Sequence, residues 1–196
     1  MKKKSTWIII AVIAVIVIWG IKVNNSMVTM EESVNTAWSN VENVYQRRAD
    51  LIPNLVNTVK GYAQHETSTF EAVVNARAKA TSITVDPENM TADQLKEFQK
   101  AQNEVGGALG RLIAISESYP ELKANENFKD LQNQLSRLET EILQARKYYN
   151  GVVKTFNTKI ETFPTSLIVG LFGGKFSKMT YLEVAEAERQ NVKVQF

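Results

Sequence analysis

The sequence predicts an all-α protein: an N-terminal transmembrane helix, then an elongated antiparallel bundle of three long helices plus a short C-terminal helix. Three observations carry that expectation. An uncharged apolar run stands between lysines at the N-terminus, apolar residues beyond it recur at alternating spacings of 3 and 4, and Gly and Pro are sparse, at 9 and 4 in 196 residues. A period near 3.5 held over many turns belongs to helices packed side by side, as in a bundle or coiled coil.

The first element is "MKKKSTWIIIAVIAVIVIWGIK", uncharged over the 17 residues from Ser5 to Ile21. That length reaches the lower end of the roughly 17–25 residues a helix needs to cross a bilayer core. Trp7 and Trp19 bracket it, as interfacial aromatics do. A signal peptide shares the basic start and apolar middle, but no small-x-small cleavage site follows, so an uncleaved anchor is expected. Lys2, Lys3 and Lys4 outweigh Lys22, and the positive-inside rule then puts the N-terminus in the cytoplasm and the body outside a bacterial inner (cytoplasmic) membrane. The expected organisation is a basic tail (1–4), an anchor (5–23), a helical bundle (24–165) and a segment of apolar loop, short helix and C-terminal tail (166–196).

Past a polar hinge expected at Asn24 to Ser26, the first stripe runs Val34, Trp38, Val41, Tyr45, Arg48, Ile52, Leu55, Val59, Tyr62, fading through Phe70 and Val73. "SITVDPENMT" (Ser82 to Thr91) is a turn region, and Thr91 with Gln94 forms a capping-box pattern that opens the second helix. The second stripe is Leu95, Phe98, Gln102, Val105, Leu109, Leu112, Ser116 and Tyr119, with Pro120 expected to close it. The third runs from Phe128 through Leu131, Leu135, Leu138, Ile142, Ala145, Tyr149 and Val152 to Phe156. The first segment, about 55 residues, would approach 80 Å at ~1.5 Å per residue.

Inside the first stripe stands a cluster of Arg47, Arg48, Asp50 and Pro53. The stripe keeps its phase across Pro53, which predicts a continuous, kinked helix whose Ala49 carbonyl has lost its donor. Arg48 falls on the inward face and needs a partner. Asp50 is placed to pair with Arg47, and Glu117, Glu121 and Glu126 near the second turn are the acids expected to meet Arg48. The cluster reads as a lock on the bend, with a binding role as the alternative.

"TAWSNVENVYQRRADLIPNLVNTVKGYAQHE", "NARAKA", "YYNGVVKTFNTKIETFPTSLIVGLFG" and the ending "VKVQF" resemble the LemA family, over nearly the whole chain apart from the turn near Ser82 to Thr91. The resemblance implies a small bacterial protein with one N-terminal transmembrane segment and a helical-bundle body. It implies no established biochemical activity. Association with a membrane protease or a TPM-domain protein is a further implication.

The remaining chemistry is thin. There is no cysteine, which excludes disulfides, thiolate catalysis and Cys-ligated zinc. Setting aside Lys2, Lys3, Lys4 and Lys22 leaves 19 of the 23 basic residues against 21 acidic ones, so no nucleic-acid footprint is expected. His65 beside Glu66 has no metal-site spacing, and a structural pair of Glu66 with Arg111 is the simpler reading. No catalytic, metal or cofactor residue is identified, and an enzyme is not expected.

Partner-binding candidates lie towards the C-terminus. "FPTSLIVGLFGG" offers Leu167, Ile168 and Phe172 either to the bundle end, to a partner or to a membrane surface. Counting three long segments from the anchor places Phe163 at the end of the body far from the bilayer. Tyr181 to Gln190 reads as a short helix. After it Val192, Val194 and Phe196 alternate like an extended tail, docked on the chain's own bundle or on a partner. Gly106, Gly107 and Gly110 suggest close helix approach, with first-helix aromatics against them, and a flexible hinge is the alternative.

The function expected is a membrane-anchored scaffold or adaptor, bound to lipid through the N-terminal helix and to membrane or envelope proteins through the apolar C-terminal segment. The alternative is a self-assembling, coiled-coil-like homo-oligomer that organises the membrane.

Overall fold

The computed structural model describes residues 2–87, 89–171 and 176–183, all of them helical, turn or irregular and none in a strand. One helix, α1 (Lys2–Lys60), carries both the anchor and the first wall of the body. At ~1.5 Å per residue its 59 residues run roughly 88 Å. The side chains of Trp7 to Ile18 are exposed almost without interruption, whereas Val23 and Met27 are buried in the bundle. The expected hinge at Asn24 to Ser26 is therefore helical. Polar side chains do not break a helix whose next turns, from Met27 to Val34, are fixed by packing.

The larger correction concerns the first stripe, which is two helices. The helix ends at Lys60, and after the turn of Gly61 to Glu66 the chain reverses into α2 (Thr67–Ser82). The turn is closed by bonds from Tyr62 N (3.0 Å) and Ala63 N (2.9 Å) to Val59 O. α3 (Ala92–Ala114) follows, opened by the expected box: Gln94 N donates to Thr91 Oγ1 at 3.2 Å and Thr91 N to Gln94 Oε1 at 3.0 Å. It gives way to a 3₁₀ turn (Ile115–Ser118) well before Pro120, which opens the short α4 (Pro120–Ala124) instead of closing a long helix. Proline suits a first helical position because its missing N–H is unneeded there. α5 (Glu126–Glu161) is capped by the Asn125 side chain, accepting from Phe128 N at 2.9 Å, and α6 (Thr165–Leu171) ends the described helices.

α1 and α5 are the long pair, packed antiparallel; α2 and α3 are the short pair, packed on one another and on α1. The core divides accordingly. At the end remote from the anchor, Ile52, Val59, Phe70, Val105, Leu112 and Phe128 pack as four helices meet. Nearer the anchor Trp38, Phe98, Tyr149, Val153 and Phe156 form a second cluster in which α2 takes no part beyond its following turn. The space there is filled by α6 and by residues 176–183, whose Phe176 and Leu182 are buried in it. Trp38 lies 5.3 Å from Phe98 and 5.4 Å from Tyr149, centroid to centroid.

The extra reversal has a consequence for the C-terminal segment. Two reversals would leave Phe163 far from the bilayer; three bring it back. Ile168 Cδ1 lies 3.9 Å from where a Cβ on Gly20 would stand, so α6 rests against the last turn of the apolar run of α1.

Candidate functional site

Between the two core clusters lies a polar layer built around Arg48, which is 3% exposed. Its Nη2 donates to Gln102 O at 2.9 Å and to Gln102 Oε1 at 2.8 Å, and its Nη1 donates to Glu139 Oε1 at 3.0 Å. The guanidinium also stands 5.0 Å over the Tyr45 ring. Arg48 and Gln102 are the polar interruptions of the first and second stripes at this level, and the bundle brings them together. Glu139, on α5, supplies the countercharge in place of Glu117, Glu121 or Glu126. Those three acids lie at the α3–α5 connection, roughly 20 Å along the helices from this level at ~1.5 Å per residue. Arg47 pairs with Glu141 at 2.6 Å on the surface, and Asp50 accepts from Gln46 Nε2 at 2.8 Å, so the expected Arg47–Asp50 pair is replaced. One contact of this layer is incomplete: Arg48 Nε is buried without a hydrogen-bond partner.

Pro53 acts one turn further along. It lies inside continuous α1 and cannot donate to Ala49 O. Arg77 Nε, from α2, donates to that carbonyl at 2.8 Å. The proline thus opens an acceptor in α1 and the neighbouring helix closes it. A cleft of about 260 Å³ adjoins, walled by Glu42, Tyr45, Arg48, Arg77, Phe98 and Gln102 among others. Burial raises the Glu42 carboxyl above its ordinary value; a contact with Trp38, too loose for a hydrogen bond, partly opposes this. The two arginines of the cleft already serve protein acceptors.

A second polar device holds residues 176–183 in extended form along α5. Asn157 Nδ2 donates to Met179 O and Asn157 Oδ1 accepts from Met179 N, both at 2.9 Å. Seven residues earlier Asn150 repeats the arrangement on Leu182, at 2.8 and 2.9 Å. Tyr149 Oη donates to Thr180 O at 3.0 Å, and burial pushes the Tyr149 pKa up to about 12. Arg146 Nη2 donates to Glu183 O at 2.6 Å, and Gln99 Nε2 on α3 to the same carbonyl at 2.8 Å. The descending order Asn157, Asn150, Arg146 against Met179, Leu182, Glu183 sets the strap antiparallel to α5. These contacts read backbone, and each amide takes one donor and one acceptor from the same residue.

A family model described as the LemA family matches residues 37–196. The chain belongs to the LemA family. Among curated relatives it is 29% identical over 168 residues to magnetosome protein MamQ 2 of Paramagnetospirillum magneticum and, equally, to magnetosome protein MamQ of Magnetospirillum gryphiswaldense; each alignment covers 77% of this chain and 62% of the relative. It is 26% identical over 144 residues to protein LemA of Metamycoplasma hominis, covering 74% of this chain and 62% of that one. The chain therefore spans less than two thirds of the length of these relatives. With one helix among the described residues long and apolar enough to cross a bilayer, this LemA-family chain is a membrane protein.

The remaining expected sites of this LemA-family chain fall as follows. Trp7 is exposed on the lipid-facing stretch, and Trp19 is half-buried against the body. Leu167 is 58% exposed, but Ile168 is 8% exposed and packs on α1, which removes it from any partner surface. The segment is helical where a loop was one expectation, its inward side fixed by Ile168 and Val169. Phe172, Val192, Val194 and Phe196 lie outside the described residues, as does most of the short helix expected at Tyr181 to Gln190; Tyr181 to Glu183 are not helical. Beside Gly106 stands Arg48, not an aromatic, and a Cβ at Gly106, Gly107 or Gly110 would meet nothing nearer than 4.0 Å. Close approach does not account for these glycines, and nothing else in the structure explains them. Glu66 precedes α2 and forms no ion pair with Arg111. No group of three or more His, Asp or Glu suited to a metal occurs among the described residues.

The strap contacts were missed at the level of sequence. A signal was present: Asn150 and Asn157, one heptad apart inside a long helix, are poor helix residues beside stripe positions Tyr149 and Phe156.

Proposed function

We infer that this LemA-family protein is a non-catalytic, membrane-anchored scaffold that holds a helical body rigidly against the bilayer and presents it to membrane or envelope proteins. The observation that carries this reading is the continuity of α1: the helix that faces lipid at Trp7 to Ile18 is the same helix buried in the bundle from Val23 onward. An enzyme needs no such rigidity in its anchor, whereas a scaffold that fixes height and orientation does. The clustered charges support the same reading, since Arg47, Arg48 and Arg77 are all engaged within the chain.

The partner face shifts from the C-terminal segment to the outer side of α5. There Tyr148 is exposed beside Gly151 and Val152 in a shallow, largely apolar depression. The heptad seams close within one chain, so self-assembly, the second reading, would also use this face. Charge at Lys2 to Lys4 supports a cytoplasmic N-terminus and an extracytoplasmic body in the bacterial inner membrane. A membrane protease or a TPM-domain protein is the partner class the family resemblance favours.

A photo-crosslinking residue in place of Tyr148, in cells, tests the scaffold. A discrete adduct with another membrane protein is expected; an adduct with a second copy favours self-assembly, and no adduct refutes this face. A Thr140→Cys variant labelled with a membrane-impermeant maleimide tests orientation. Labelling of intact cells is expected, and labelling only after permeabilisation reverses it.

A further inference from the structure

α6 buries one side and leaves a large apolar side chain exposed on the other. Its inner residues Ile168 and Val169 are buried against α5 and α1, together with Val23 and Met27. Its outer side and the elbow before it present Leu167 at 58% exposed and Phe163 at 78% exposed, four residues apart. An exposed aromatic and an exposed leucine four residues apart at one end of the body mark a surface suited to an apolar medium. The level at which α6 docks names the medium. Ile168 meets Gly20, the residue after Trp19 and the last turn of the uncharged run that ends at Ile21. Lys22 is exposed immediately beyond that run, and Lys159 lies one turn before Phe163. Lysines so placed reach headgroups while their stems stay in apolar surroundings.

We propose that the α5–α6 elbow is a second membrane contact, in which Phe163 and Leu167 enter the interfacial zone of the leaflet through which α1 leaves the bilayer. The occupant of this apolar surface is lipid, because α6 docks on α1 at Gly20, where the exposed apolar stretch of α1 ends and its boundary with water begins. Two contacts on one rigid body do what a single helix cannot: they fix the tilt and the rotation of the bundle about the anchor. The proposal rests on α1 spanning the membrane, the premise of the scaffold reading, and it adds which end and which side of the body meet the bilayer.

The absence of native cysteine makes the test direct. Full-length Leu167→Cys, Phe163→Cys, Ile16→Cys and Thr140→Cys proteins are each labelled with an environment-sensitive fluorophore. They are then reconstituted in vesicles of phosphatidylcholine and phosphatidylglycerol and exposed to spin-labelled lipid or to aqueous iodide. Residues 163, 167 and 140 are exposed, so these labels do not disturb packing. The expected result is that probes at 163 and 167 behave like the one at 16, with blue-shifted emission, quenching by spin-labelled lipid and loss of iodide quenching, while the probe at 140 does the reverse. Iodide quenching at 163 and 167 equal to that at 140 overturns the proposal. So does shielding from both quenchers that disappears when the protein is diluted among vesicles, which assigns the surface to a second copy. If the probe at residue 16 escapes lipid quenching, the anchor itself is refuted and the proposal falls with it. If residue 16 is quenched and the elbow is not, only the proposal fails.

Discussion

Arg77 and Pro53 offer the sharpest test of how this bundle is held together. Pro53 leaves Ala49 O without its helical donor, and Arg77 Nε occupies the vacancy at 2.8 Å. Replacing Arg77 by Ala orphans a carbonyl whose own residue is buried. Leaving such a group unsatisfied costs about 1–3 kcal/mol. For a chain of this size each kcal/mol lowers the thermal midpoint by roughly 2–4 °C. In a Pro53→Ala background residue 53 regains an N–H, the ordinary helical bond to Ala49 O becomes available, and the same Arg77→Ala change should cost roughly 1 kcal/mol less. Far-UV circular dichroism melts of the four full-length proteins in one detergent provide the cycle. Equal costs of Arg77→Ala in the two backgrounds would refute the reasoning, showing that Arg77 contributes by packing alone.

Other expectations concern the polar devices. Gln102→Leu strips the Oε1 acceptor from buried Arg48 while the backbone carbonyl of residue 102 stays, and should destabilise by roughly 1–3 kcal/mol, whereas Arg48→Met with Gln102→Leu should be near neutral or stabilising in the same melts. Asn150→Ala with Asn157→Ala removes four bonds to the strap, and limited proteolysis should then cut within residues 176–183 while helix content is retained; unchanged resistance would show that Phe176 and Leu182 hold the strap unaided. Burial raises the Glu42 carboxyl above 4.5, so the folded state binds its proton more tightly than the unfolded chain, and the associated stability is lost as pH rises from that value through the raised one. Glu42→Gln should therefore melt higher than the parent above that window and together with it below; a gap that is the same at both pH values would contradict the assignment.

Much of the fold was legible because helices announce their faces locally. The stripe positions Val34, Trp38, Val41, Tyr45, Ile52, Leu55 and Val59 are all buried, and the Thr91–Gln94 box is formed as its spacing requires. The break after Lys60 was hidden by arithmetic. Tyr62 and Phe70 are eight residues apart, a spacing an unbroken helix also permits, so the stripe shows no lost phase across the turn. Gly61, directly after the last helical residue, was the available signal.

The sequence by itself determined the helical class, the anchor and the inward placement of Arg48 and Gln102, because each follows from a repeat of 3.6 residues or from the length of an apolar run. Only the tertiary structure decided that Glu139 answers Arg48, that Arg77 closes the gap left by Pro53 and that two asparagines on α5 grip the strap. It also decided which end of the body carries Phe163. Periodicity states which way a side chain points, not what comes to meet it. One additional chain reversal, too short to disturb any stripe, exchanges the end far from the membrane for the end against it.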